Sequence, residues 1–303
     1  MHYGILKVLT FNVKVSSNSI HFLESLKQII SAFQFTYEEF TGNGQYEVFV
    51  QNWGNENGSH RLIKNGETIF QTSDNAELLL KLLDFILEDF IESTKDHLLL
   101  HSAVLVKRRK AIVLPAGSNS GKTTLSLALL KDEFKYISDE VAAVNIYNLK
   151  ASGFPRAMMI KDKTLSLFPS LQREIRCYKF QFRNSRDVQK AHLGIPGERK
   201  TAPLKQSFPI TAIVFPKYNP DGVTTLTELK PSEALVNLMR CSFNHLRLNE
   251  IGFRSAAKIA RKIKCYFLEV NDLTKACELI NDLIESHKGG IESTYACEVG
   301  SDT

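Results

Sequence analysis

The segment Ala116-Gly117-Ser118-Asn119-Ser120-Gly121-Lys122-Thr123 gathers residue types that bind phosphate. Its spacing fits a phosphate-binding loop, with Ala116 in the slot of the first glycine. Gly117 and Gly121 permit positive φ, so successive N–H groups can close around an anion. The helix start after the loop adds unpaired N–H groups and partial positive charge. Lys122 has the reach for β- and γ-phosphates, and the Thr123 hydroxyl can ligate Mg²⁺. Ala116 to Thr124 are therefore the candidate nucleotide-binding residues.

Downstream, Phe134-Lys135-Tyr136-Ile137-Ser138-Asp139-Glu140 reads as a strand that ends on two acids. A carboxylate in that place commonly holds Mg²⁺, and one can also take a proton from an attacking hydroxyl. Asp139 joins Thr123 as a candidate metal ligand, while either acid is open as the base. Neighbouring strand residues point to opposite faces, so both acids serve one site only if the strand has ended and the chain is turning. The competing reading is a helix start capped by Ser138 or Asp139.

These residues need a strand before the loop and a helix after it. Ala111-Ile112-Val113-Leu114 supplies the first, and Thr124 to Leu130 the second. Leu98 to Val106 predicts another strand, close enough to form an antiparallel hairpin across Lys107-Arg108-Arg109-Lys110. That basic run reads as a solvated turn, with steering of an anionic partner as the alternative. Further on, Arg156 and Lys161 are candidates for touching substrate phosphate. Gly194 to Lys200 predicts a loop able to close over substrate. A strand over 210–215 should stop at Pro216, and Tyr218 to Gly222 should turn. Strands come next over 226–229 and 265–270, with helices from Pro231, over 255–263 and over 273–284, then a loose tail over 287–303.

Before the hairpin, residues 1–96 read as a small α+β domain without catalytic features. A strand is predicted over 5–15, a helix over 21–33, a strand over 46–51 and a loop over 52–59. Asn65-Gly66 favours a type I′ hairpin turn. Asp74 should cap a helix, with Glu77 completing a capping box. Docking of a substrate, dimerisation and bracing of the nucleotide domain all fit such a unit. Residues 97–286 form the nucleotide-binding domain of this reading.

Composition bounds the function. The chain has 303 residues, 43% of them hydrophobic, which is enough for a sizeable core. A net charge of +5 suits an anionic ligand and is too weak to argue for nucleic acid. Five scattered cysteines without a C-x-x-C pair suit a reduced, cytoplasmic setting. The N-terminus lacks signal-peptide form, and no run of about 18 apolar residues predicts a membrane span.

Three features in order, Leu100-His101-Ser102, the 116–123 loop and Ser138-Asp139-Glu140, resemble the HPr kinase/phosphorylase family and its smaller serine-kinase relatives. Phe154-Pro155-Arg156 to Lys161 and Pro231-Ser232-Glu233-Ala234-Leu235 also look like that group. The resemblance covers roughly residues 97–285. It implies an α/β P-loop kinase core like that of HPr kinase and phosphoenolpyruvate carboxykinase. It further implies transfer from ATP, with Mg²⁺, to a serine hydroxyl of a peptide or protein. Lys122 would bind phosphates, Thr123 and one acid would hold the metal, the other acid would be the base, and His101 would orient an acid or the phosphate. The family's bifunctional members carry two adjacent Asp residues where this chain has Asp139-Glu140. Some smaller relatives resemble kinases for the C-terminal serine of lasso peptide precursors. The family also assembles as homo-oligomers, so the resemblance admits a homo-oligomer here. A nucleotide switch without transfer and a kinase for free serine are the other readings of these residues.

Overall fold

The first run of β-forming residues folds back on itself. Leu9 takes a φ of 54°, so the single strand expected over 5–15 becomes a hairpin of β1 (His2–Val8) and β2 (Phe11–Ser17). The structure is a computed structural model. It describes residues 1–286 apart from 31–32, 36–41, 43, 52–57, 118, 155, 172–173, 184–187 and 204–205. Most of the expected 52–59 loop, Ser118 of the expected phosphate loop, Pro155 and the 287–303 tail thus lie outside the described residues.

Ser19 caps α1 (Ile20–Ile29) by accepting from the Phe22 N–H. This helix stops short of Phe33, because Ile30 already has extended angles and Phe33 opens β3 (Phe33–Phe35). β4 (Gly44–Val50) lies parallel to β2, and β5 (His60–Lys64) and β6 (Glu67–Thr72) form a hairpin. Asn65 and Gly66 both have positive φ, 53° and 83°, as a type I′ turn requires. Asp74 caps α2 (Asn75–Ser93) through the Ala76 and Glu77 N–H groups. The capping box is only half made. Glu77 accepts from the Thr72 hydroxyl, and that hydroxyl in turn accepts from the Asp74 N–H.

Strand order in this first sheet is β3-β1-β2-β4-β5-β6. Leu6, Phe22, Tyr46, Leu82 and Phe90 share one apolar cluster with Leu99, Val141 and Phe154 from further along the chain. The N-terminal sheet and helices therefore share a core with residues from the strands that follow.

The second sheet is built around β7 (His97–Lys107) and β8 (Lys110–Pro115), which pair antiparallel. Arg108 and Arg109 take the positive φ values of the turn between them. Arg108 and Arg109 stay exposed, as a solvated turn should, and the turn is also tied to a helix. Lys107 donates to Asn281, Arg108 pairs with Glu285, and Lys110 donates to the Ile284 carbonyl, so cations sit at the C-terminal end of a helix. α3 (Lys122–Lys131) is buried nearly all round. β9 (Lys135–Ser138), β10 (Val141–Asn145) and β11 (Lys150–Gly153) extend the sheet beyond β7.

β12 (Met158–Lys161) leads into the single turn α4 (Asp162–Leu165) and forms one edge of a small third sheet, pairing with β14 (Val188–Pro196), which in turn pairs with β13 (Ile175–Arg183). Gly194, Ile195 and Pro196 thus end a strand instead of forming a closing loop, and only Glu198 to Lys200 make a 3-10 turn. A side chain at Gly194 would run into Ile160, which gives that glycine a packing role.

β15 (Phe208–Tyr218) returns to the main sheet and lies parallel to β8. It runs through Pro216, where a stop was expected. β8 no longer pairs with it beyond Ile213, so no ladder bond is lost at the proline. β16 (Thr225–Glu228), α5 (Pro231–Cys241), α6 (Asn249–Lys262), β17 (Cys265–Val270) and α7 (Leu273–Ser286) complete the fold. Among the described residues the second sheet has the order β11-β10-β7-β8-β15-β17-β16, with β9 also on β7. Ile112 and Leu114 of β8 pack on the α3 and α7 side, Ala111 and Val113 on the α5 and α6 side. A strand buried on both faces reads as a continuous apolar run, as this one does. The architecture is mixed α/β with several sheets. No described helix is long and apolar enough to cross a membrane.

Candidate functional site

The loop leaves the C-terminal end of β8 and enters α3. Its strained position is Gly121, which caps α3 with φ of 88°. Asn119 is the other residue with positive φ, at 63°, whereas Gly117 does not need its freedom. A side chain built on Gly117 would meet nothing, so that stretch of backbone faces open space. The loop is held at both flanks. The Ala116 N–H donates to the His101 carbonyl at 3.1 Å, and the Ser120 carbonyl accepts from the Tyr218 N–H at 3.0 Å.

Lys122 opens α3 with its side chain turned inward. It is only 7% exposed, and its Nζ makes no hydrogen bond. Burial pulls its pKa down, against the attraction of Asp139 and Glu140. An unpaired buried ammonium is costly, and native structures seldom leave one without a reason. The next residue, Thr123, donates to Asp139 Oδ2 at 2.9 Å. Asp139 Oδ1 has no partner. Burial lifts this carboxyl to about 6, even though Lys122 and Thr123 pull the other way.

Asp139 and Glu140 lie in a bend between β9 and β10, so the strand has ended and the chain is turning. Because β10 is a strand, the reading of Ser138 or Asp139 as a helix cap is removed. Ser138 instead anchors the bend: its hydroxyl donates to the Phe154 carbonyl at 2.9 Å and accepts from the Val141 N–H at 3.2 Å.

β7 ties the two functional segments together. His101 receives the first N–H of the loop through its carbonyl, and the Ser102 N–H donates to the Glu140 carbonyl at 3.1 Å. The His101 ring stands 3.8 Å from Glu140, Nε2 to Oε1, and tilts against Phe243 at 5.6 Å between centroids. Burial and then Lys122 hold His101 below its usual pKa, opposed by Glu140. Loop, lysine, both acids and His101 therefore form one constellation.

Lys161, on β12, also reaches the loop and donates to Asn119 Oδ1 at 2.7 Å. Arg156 does not join it. Its buried guanidinium is committed to Asp84 of α2 at 3.4 Å, and its carbonyl accepts from Tyr136. Two further neighbours carry no signal in the sequence. Phe243 covers His101, and Cys241 lies near enough to Lys122 for their charges to interact, although burial raises the thiol's pKa. Cys241 ends α5 and Phe243 lies just beyond it, far along the chain, where no local spacing marks them.

No family model matches the chain, and no curated protein matches it. Among solved structures it is similar to the HPr(Ser) kinase/phosphatase from Coxiella burnetii, with 12% identity over 62% of this chain and 95% of that one, and a TM-score of 0.30. So remote a likeness carries no argument about the site, which stands on its own geometry.

That geometry fits a nucleotide with a divalent ion. Phosphate oxygens would satisfy Lys122 Nζ, and the open face at Gly117 leaves them room. A cation would satisfy Asp139 Oδ1, with Thr123 beside it. Among the described residues no group of three His, Cys, Asp or Glu side chains is placed to hold a metal. One carboxylate, one hydroxyl and phosphate oxygens make the sparse oxygen set that suits Mg²⁺.

Proposed function

We propose that the chain is an ATP-dependent phosphotransferase that acts on a serine hydroxyl of a peptide or protein. The observation that carries the reading is the unpaired, buried Lys122 ammonium at the start of α3, facing a carboxyl that also lacks a partner on one oxygen. A plain turn would gain nothing from either.

In this reading the loop N–H groups, the α3 N-terminus and Lys122 hold the phosphates and stabilise charge on the moving phosphoryl. Thr123 and Asp139 would hold a Mg²⁺ ion, whose charge would help to neutralise the phosphates. The serine oxygen attacks the γ-phosphorus in line, the bond from that phosphorus to the β–γ bridging oxygen breaks, and ADP leaves. Glu140 is the better placed base, because Asp139 is already engaged by Thr123. His101, kept neutral by its burial, orients the Glu140 carboxylate. The narrower acceptor, the C-terminal serine of a lasso peptide precursor, rests on the sequence resemblance alone.

Radiolabelled ATP with a panel of serine peptides tests the reading. Label should appear on peptide with wild type and vanish with Lys122→Ala. Slow hydrolysis without peptide labelling would favour a nucleotide switch instead. Peptides ending in serine, set against internal serines and free serine, sort the acceptors.

A further inference from the structure

We infer that Tyr218 is the platform on which the base of a nucleoside triphosphate stacks, an inference that rests on the nucleotide reading of the loop.

The site is polarised about β8. On one flank is β7, and β9 and β10, which bracket Asp139 and Glu140, both pair with β7. The terminal phosphate must face those acids and Lys122. The other flank of β8 is β15, its parallel partner, so the rest of the nucleotide leaves the loop on that side. Ligands of open α/β sheets commonly lie across the carboxyl ends of parallel strands.

β15 ends at Tyr218. Its N–H donates to the loop carbonyl of Ser120, and its Cβ would lie 3.3 Å from a Cβ built on Gly121. Counting by twos along the strand puts it on the face of Ala212 and Val214, which pack with α3. The root of an aromatic side chain thus stands directly at the start of α3. Even so, Tyr218 is 54% exposed.

The backbone beneath it is fixed. The Asn219 N–H donates to the Val270 carbonyl at 2.9 Å, the Gly222 N–H donates back to the Asn219 carbonyl at 3.2 Å, and Asn219 Nδ2 donates to Glu269. With the backbone fixed, only the two side-chain torsions of Tyr218 remain to be ordered on binding. Tyrosine suits the task because a base stacks on its face and needs no hydrogen-bond code.

The test compares Mg·AMP-PNP with Mg·tripolyphosphate, which carries the phosphates but no base. Full-length wild type, Tyr218→Ala and Tyr218→Phe are titrated with both. Tyr218→Ala should weaken AMP-PNP by about tenfold or more and leave tripolyphosphate unchanged. Tyr218→Phe should stay near wild type for both. In Tyr218→Trp, AMP-PNP should quench the new indole's fluorescence and tripolyphosphate should not. Unchanged AMP-PNP affinity in Tyr218→Ala, or an equal loss for both ligands, overturns the inference and leaves the loop reading standing. Failure of wild type to bind either ligand overturns both.

Discussion

Thr123 donates its hydroxyl to Asp139 across 2.9 Å and so joins the first turn of α3 to the bend after β9. Two segments remote in sequence meet in one oxygen pair, beside a lysine that has no partner. The ionised acid is held there at a cost to the fold.

That cost makes a stability prediction. Asp139 has its folded pKa raised from 3.8 to about 6 by burial. Its contribution is favourable while it is protonated, below the unfolded value, and is lost as pH rises through about 6. Asp139→Asn keeps an acceptor for Thr123 and removes the charge. The variant should be more stable than wild type at pH 8 by up to about 3 kcal/mol and no more stable near pH 4. Thermal melts of nucleotide-free protein at both pH values check this. Phosphotransfer should be lost in the same variant, a trade of function for stability.

The same group sets a pH dependence for binding. A metal-holding Asp139 must be ionised, so Mg·nucleotide affinity should be level above about pH 7. It should then fall by roughly tenfold per unit below pH 6. Titrations of wild type and Asp139→Asn across that range separate this proton from those of the nucleotide. The variant's profile should lack the Asp139 step.

For the proton acceptor, Glu140→Gln should lower kcat by about 10²- to 10⁴-fold while changing nucleotide affinity only a few-fold. His101→Ala should lower kcat less, because a positioning residue is removed and not the base. A Glu140→Gln enzyme with wild-type turnover would move the base to Asp139 or to solvent.

Arg156 separates scaffold from site. Its guanidinium is buried against Asp84 of α2. Arg156→Ala should cost about 1–3 kcal/mol of stability through lost packing and pairing. The KM for ATP should not change. Lys161→Ala should do the reverse, raising that KM with little effect on the melt, since the Lys161–Asn119 bond is exposed.

Much of this arrangement is legible in the sequence where local rules decide it. Asn65-Gly66 announces its turn because both residues tolerate positive φ. The turn from β8 into α3 and the bend after β9 are legible because glycine-rich and acidic segments interrupt continuous apolar runs. Arg108-Arg109 makes the same kind of backbone turn as Asn65-Gly66, yet no residue there signals it. Contacts to α7 at the far end of the chain hold it. Glu77 is drawn from its expected box by Thr72, a neighbour in space across the cap. Pro216 has the look of a strand end, although the partner on that side has already stopped. Cys241 and Phe243 reach the site only through the fold, so no motif names them.

The central claim is that Lys122 and the acid bend face the end of a bound triphosphate. A crystal structure with Mg·AMP-PNP tests it most directly. The account predicts β- or γ-phosphate oxygens about 3 Å from Lys122 Nζ, and Asp139 or Glu140 within one water of the terminal phosphate. Nucleotide bound away from residues 116–123, or both carboxylates turned from its terminal phosphate, would contradict it.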